Sequence, residues 1–239
     1  MQQFFCHINK SKKFKQMKNL KIILSILFVV IIVGSSFSQV ISEKAKRKIT
    51  IGADFFTDIW QGKPIDMDLR TINQGFNIFG MYNFQLAESN SSFSVGLGID
   101  NHNMYSDTRI DNVTADTIVF APIEEIYQRS KINLTYASLP MEFKIRLNSG
   151  VKFGAGVKIR YLLSAKDKYI GDIPDEPEGR TNVKRKDIAQ TEDWAYGFTL
   201  RVGYKSFNLF GYYQISNIFQ TGRGPEMYPI SVGLTLTPF

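Results

Sequence analysis

The sequence predicts an all-β chain: an eight-stranded antiparallel up-and-down transmembrane β-barrel preceded by a cleavable signal peptide. Three observations point there. A hairpin across residues 133–163 is apolar at every second position, short turns alternate with long loops along the chain, and a basic-then-apolar leader precedes both.

The hairpin is the most informative part. Leu139, Met141, Phe143, Ile145 and Leu147 lead to a turn at Asn148-Ser149-Gly150, and Val151, Phe153, Ala155, Val157, Ile159, Tyr161 and Leu163 follow. Between them stand Ser138, Pro140, Glu142, Lys144 and Arg146, then Lys152, Gly154, Gly156, Lys158 and Arg160. Strand side chains alternate between faces, so one face is wholly apolar and the other carries charge and glycine. In a membrane barrel, lipid covers the first face and the second lines a lumen. A soluble periplasmic barrel holding a lipid would need the opposite arrangement, apolar inward and charged outward.

The leader has six lysines (Lys10, Lys12, Lys13, Lys15, Lys18, Lys21) and no acid before the apolar run 22–33, which only Ser25 interrupts. Ser36 and Ser38 supply small residues before a cleavage point ahead of Gln39, the form of a secretory signal peptide. The run is shorter than the roughly 20 residues a spanning helix needs. Met17 opens a compact basic segment and is the better start. The expected division is therefore a signal peptide region at 1–38, a short segment at 39–47 and the barrel at 48–239. The full chain has 29 basic and 22 acidic residues, a net charge of +7; without the leader lysines the balance is 23 to 22. The basic character belongs to the leader, which removes the support for a nucleic-acid partner. The only cysteine, Cys6, leaves with it, so disulfide and thiol chemistry are not expected.

Strands are predicted in order. Residues 48–60 set Ile49, Ile51, Ala53, Phe55 and Ile59 against Gly52, Asp54 and Asp58. Residues 73–87 set Phe76, Ile78, Tyr82, Phe84 and Leu86 against Asn77, Asn83 and Gln85, and 92–105 set Phe93, Val95, Leu97 and Ile99 against Ser94, Gly96, Gly98 and Asp100. The hairpin supplies the fourth and fifth strands. Residues 193–204 set Trp194, Tyr196, Phe198, Leu200, Val202 and Tyr204 against Gly197, Thr199, Arg201 and Gly203. The stretch 207–218 carries aromatics on both faces, and 228–239 sets Ile230, Val232, Leu234 and Leu236 against Ser231, Gly233, Thr235 and Thr237.

Short links at 88–91, 148–150 and 205–206 alternate with long ones at 61–72, 106–130, 165–192 and 219–227. That is the arrangement of periplasmic turns and outer loops in outer-membrane barrels, and eight strands leave a lumen that side chains just fill. Phe84, Phe93, Phe153, Tyr204 and Phe207 fall near the short-turn ends on the apolar parity; Tyr161, Trp194, Tyr196 and Tyr228 fall near the long-loop ends. Two aromatic girdles would look like this, with Trp60 outside the scheme. The acidic, proline-containing stretch 172–180 and the following Lys184-Arg185-Lys186 are expected in a solvated, mobile outer loop.

Parity places Asp54, Asp58, Glu142, Lys144, Arg146, Lys152, Lys158, Arg160 and Arg201 in the lumen, three acids against six bases. Unpaired charge in a narrow tube is costly, so a structural network is expected, with an anion or loop carboxylate joining. A narrow anion-selective channel using Arg146, Lys158, Arg160 and Arg201 is the alternative. His102, with Asp100 two residues before it on the same face, is the one histidine outside the leader; a hydrolase would need a partner serine that nothing selects. No cofactor or metal is expected, because one histidine without cysteine builds no standard zinc site. Gly96-Leu97-Gly98 and Gly154-Ala155-Gly156 feed no helix and read as small inward residues, not phosphate loops. The Asn-x-Ser/Thr triplets at Asn90, Asn112 and Asn133 carry no weight. Pro140, inward within a strand, should bring a bulge or cost a ladder bond.

The leader ending in Phe37-Ser38-Gln39, the segment Tyr136-Ala137-Ser138-Leu139-Pro140-Met141-Glu142-Phe143-Lys144 and the strand beginning Phe153-Gly154-Ala155-Gly156 resemble the PorT-like outer-membrane β-barrel family of Bacteroidetes bacteria. The resemblance spans nearly all of the chain after the leader, on motifs that are architectural. It implies a small barrel in the outer membrane of a Gram-negative bacterium, and its name-giving member is associated with a protein secretion system. No catalytic residues come with it. The ending Thr237-Pro238-Phe239 departs from the pattern by placing Phe239 on the opposite parity from Leu234 and Leu236. The expectation is a monomeric, non-enzymatic integral barrel with interaction, structural or secretion-accessory work. Its partners would be outer-membrane lipid, the barrel-assembly machinery during biogenesis and envelope or secretion proteins.

Overall fold

A computed structural model describes residues 48–86, 89–172 and 181–237. The leader, the 39–47 segment, most of the acidic 172–180 stretch and Phe239 lie outside the described residues. Eleven strands follow one another: β1 (Ile49–Gln61), β2 (Gln74–Gln85), β3 (Ser91–Tyr105), β4 (Thr108–Ile110), β5 (Phe120–Pro122), β6 (Tyr127–Arg146), β7 (Val151–Gly171), β8 (Thr181–Lys186), β9 (Trp194–Tyr204), β10 (Phe207–Gln214) and β11 (Tyr228–Leu236). Eight of them close a ring in the order β1-β2-β3-β6-β7-β9-β10-β11, because β1 pairs with both β2 and β11 and β6 pairs with β7, all antiparallel. Closure leaves the ring without a free edge, the condition for a sheet to span hydrocarbon.

Alternation decides what faces where. Along the opening hairpin Glu142, Lys158 and Arg160 are at most 1% exposed, while Phe143 and Val157 are 43% and 39% exposed. Leu200 on β9 is 56% exposed beside the buried Arg201. In water this continuous apolar belt would far exceed the few hundred Å² that soluble monomers tolerate. The lipid-holding arrangement with apolar residues inward is thereby corrected: the greasy face is outside. Both girdles stand on that face, Phe84, Phe93, Phe153, Tyr204 and Phe207 at one end and Tyr161, Trp194 and Tyr196 at the other, with Tyr228 half-buried against Tyr213.

Two local expectations need correction, and at Pro140 one of two alternatives is met. The 165–192 link is not a loop throughout: β7 continues to Gly171, and β8 pairs with its outer part from Lys166↔Lys186 to Gly171↔Thr181. The 106–130 link contains the β4–β5 hairpin, and β6 begins at Tyr127. Pro140 sits at no bulge. It keeps register with Lys158, but pairing with β3 is interrupted between Val95↔Met141 and Gly98↔Ser138, which is where its missing N–H falls. The register shift in the hairpin lies instead at Thr135/Tyr136.

The long links form a cap. Backbone bonds tie the 62–73 link to the 106–126 link (Asp107 N to Asp68 O, 3.1 Å), that link to 187–193 (Ala189 N to Val113 O, 2.7 Å) and to 215–227 (Ile118 N to Arg223 O, 2.9 Å), and the last two together (Gln220 N to Gln190 O, 2.8 Å). Beneath them lies an apolar core of Trp60, Met67, Met104, Ile110, Ile118 and Phe219, among others. Trp60, outside the girdle scheme, belongs to this core and donates from Nε1 to Asn103 O. Arg185, expected in solvent, instead bonds Asp167 (Nε to Oδ2, 3.0 Å), Asp111 O at 2.9 Å and Ile110 O, joining β8, β7 and the cap.

Candidate functional site: the charged lumen

The side chains that alternate with the lipid-facing ones meet inside the ring in two clusters. In the first, Arg201 donates from Nη2 to Asp54 Oδ2 at 2.7 Å, from Nη1 to Glu142, and from Nε to Thr235 Oγ1 at 3.2 Å. Thr235 and Asn77 donate in turn to Asp54, at 2.6 and 2.8 Å, which fills its two oxygens. Four residues along β1, Asp58 anchors the second cluster. It accepts from Ser231 Oγ at 2.6 Å and holds His102 Nδ1 at 2.8 Å. Arg160 donates to Nε2 of that ring and to Gln214, and it lies 3.7 Å from Asp100. Asp100 also accepts from Lys158 Nζ at 3.1 Å and Ser138 Oγ at 2.7 Å.

Aromatic rings enclose these cations. Arg201 stacks 4.7 Å from Phe79 and 4.8 Å from Phe210; Arg160 lies 4.6 Å from both Tyr136 and Tyr212. Desolvated cation–π contacts are worth up to about 2 kcal/mol each, part of what offsets removing guanidinium from water. The rings need space, and glycines across the ladder provide it. Phe79 lies opposite Gly52 and Gly98, and Phe56 opposite Gly75 and Gly233. A Cβ on Gly75 would come within 2.1 Å of Phe56.

The nine residues with inward parity do not form one set. Asp54, Glu142 and Arg201 share the first cluster, and Asp58, Lys158 and Arg160 share the second. Lys144, Arg146 and Lys152 stay apart, at the end with the short turns. Lys144 is half-buried and reaches Thr50 and Asn83, Lys152 donates to Lys205 O, and Arg146 is exposed. None of the three makes an ion pair among the described residues.

His102 has no free nitrogen. A guanidinium can only donate, so Nε2 is the acceptor that Arg160 fills and the ring N–H is the one at Nδ1, facing Asp58. A general base needs that lone pair available. Ser231 bonds Asp58, not the ring, and among the described residues no serine hydrogen-bonds to the His102 ring. Among the described residues no group of three or more His, Cys, Asp or Glu could hold a metal ion.

The outer membrane protein beta-barrel domain family matches residues 34–220. The chain belongs to that family. Its place is the outer membrane, in keeping with the lipid-facing belt. No curated protein matches the chain. Among solved structures it is similar to Ail, the attachment invasion locus protein of Yersinia pestis, in complex with the heparin analogue sucrose octasulfate, at 13% identity and a TM-score of 0.41, over 80% of this chain and 96% of that one. Ail in a phospholipid bilayer nanodisc gives 12% and 0.34 over 79% and 98%, and a Rh. blastica porin mutant 8% and 0.22 over 79% and 99%.

Three participants in the lumen escape sequence reasoning. Asp100 was placed inward but left out of the charge balance, although it is the acid that holds Lys158 and approaches Arg160. Phe210 and Tyr212 made 207–218 look ambiguous; inward aromatics beside inward arginines were the available signal.

Proposed function

We propose that the chain is a closed, non-enzymatic outer-membrane barrel whose work is done on its outer face, as an interaction or secretion-accessory component of the PorT-like kind. The observation that carries this reading is the double obstruction of the lumen: ion pairs bridge opposite walls, and an apolar core closes the outer end above them. A tube filled this way offers no path for solute. What remains is a cap whose links are bonded to one another, a surface already built for a partner. The PorT-like motifs in 136–144 and 153–156 favour an envelope partner. Assembly would require the barrel-insertion machinery.

A narrow anion channel is the second reading, favoured by Lys144, Arg146 and Lys152 at one mouth, none of which makes an ion pair among the described residues. Planar bilayer recording separates the two. The closed-barrel reading expects no unitary current at 100–200 mV, a range set by the roughly 2.3 kcal/mol per charge that 100 mV supplies. Anion-selective steps that disappear in K144Q/K152Q would overturn it.

A further inference from the structure

Above the outer girdle, β8, β7, β6 and β3 continue as a sheet whose two faces differ sharply. Asp167, Tyr169, Ser130 and Ile132 point into the cap and are buried. The opposite face carries lysines in register: Lys184 pairs with Lys168, Lys168 with Lys131, and Lys186 with Lys166. Directly opposed residues share a face, so three lysine pairs on two neighbouring rungs of that face place like charges side by side, an arrangement that destabilises a sheet. Arg129, exposed one rung further out, adds to them. No carboxylate stands among the outward residues of these four strands. Lys166, Lys168, Lys184 and Lys186 make no ion pair among the described residues. Burial lowers the Lys168 ammonium from its ordinary value, and the neighbouring Lys131, Lys184, Lys166 and Arg129 lower it further.

Position selects the counter-charge. The lysine face is continuous with the lipid-facing side of the same strands, and Lys166 lies five residues beyond Tyr161 of the girdle. That is roughly 12 Å of height for a strand tilted by about 40°. Lysine stems bend back toward an interface, so the ammonium groups hang over the polar headgroups.

We propose that the lysine face of β6, β7 and β8 binds the clustered phosphates of a phosphorylated glycolipid in the outer leaflet, which seats the barrel in its lipid. The proposal rests on outer-membrane residence and adds a ligand class to it. Each basic residue at a charged membrane surface contributes appreciably, and several in register give a site for a polyanion where one lysine would not.

The test uses the full folded barrel in zwitterionic detergent, with heat-modifiable gel mobility confirming closure in every sample. Binding is titrated with fluorescent rough lipopolysaccharide, with the same lipid after phosphate removal, and with its deacylated, phosphorylated oligosaccharide. The phosphorylated lipid should bind wild type, and K166Q/K168Q/K184Q/K186Q should lose at least about tenfold. K184Q/K186Q, which alters only exposed side chains, should lose several-fold and decides the matter if the quadruple variant does not close. K48Q/K205Q, at the other end of the barrel, should bind as wild type does. Undiminished binding by the lysine variants, or equal binding of the phosphate-free lipid, overturns the proposal. Equal binding of the deacylated sugar reassigns the face to soluble polyanions and overturns the lipid. A gain only in D175N/E176Q/E178Q gives the lysines to the chain's own acidic link, and the proposal falls. Failure of wild type to resist carbonate extraction from membranes would instead strike the reading of membrane residence itself.

Discussion

Arg201 on β9 and Asp54 on β1 stand 147 positions apart in the chain and meet at 2.7 Å across the lumen. The same guanidinium bonds Glu142 on β6, so one cation holds together three walls of the barrel. Its removal leaves two buried carboxylates without compensation, which costs on the order of 3–5 kcal/mol. R201M should therefore unfold at markedly lower urea in micelles. R201M/D54N/E142Q, which also removes both acid charges, should recover much of the loss. Equal damage in the single and triple variants would show that Arg201 matters for packing alone.

The two tryptophans report on opposite environments. Trp194 is 58% exposed on the lipid-facing side near the outer interface, while Trp60 is 6% exposed in the core beneath the cap. Lipids brominated near the headgroup should quench Trp194 in W60F strongly and Trp60 in W194F weakly. W60A, by contrast, opens a cavity and should destabilise the cap by about 3–5 kcal/mol, seen as faster protease cleavage of its links.

Asp167 provides a pH signature outside the membrane. Burial raises its carboxyl above the ordinary 3.8, and the hydrogen bond and charge of Arg185 only partly oppose this. A raised value in the folded state means that protonation favours the fold. The contribution is fully present below 3.8 and is lost as pH climbs through the raised value. Hydrogen exchange of the β7–β8 amides should accordingly be slowest at the acid end, after correction for intrinsic rates. D167N should flatten the dependence and leave the amides at least as protected at neutral pH, since Arg185 keeps its bonds to Asp111 O and Ile110 O.

The ring of strands was legible because parity is a local property: Phe143 and Lys144 declare opposite faces without reference to any other strand. Partnership is not local. Parity puts Asp58 and His102 in one tube, but only the stagger of β1 against β3 makes them neighbours at 2.8 Å. The basic residues of β8 hid in the same way. Lys184-Arg185-Lys186 has the composition of a solvated loop, and nothing within it says that Arg185 finds Asp167, 18 positions earlier. Trp60 was conspicuous in the sequence as an exception, yet the core that receives it is assembled from several distant links.

The direction in which alternate side chains point is tested most directly by single cysteines, since Cys6 is the only one in the chain and can be replaced. Nitroxides attached at Val157, Leu200 and Val232 of the folded barrel in bilayers should relax strongly with oxygen, which partitions into lipid, and weakly with a water-soluble nickel chelate. A nitroxide at Asn148 in the short turn should show the reverse. If labels at Val157, Leu200 and Val232 respond to the nickel chelate as freely as the one at Asn148, those side chains face water, and the barrel does not sit in a membrane as described.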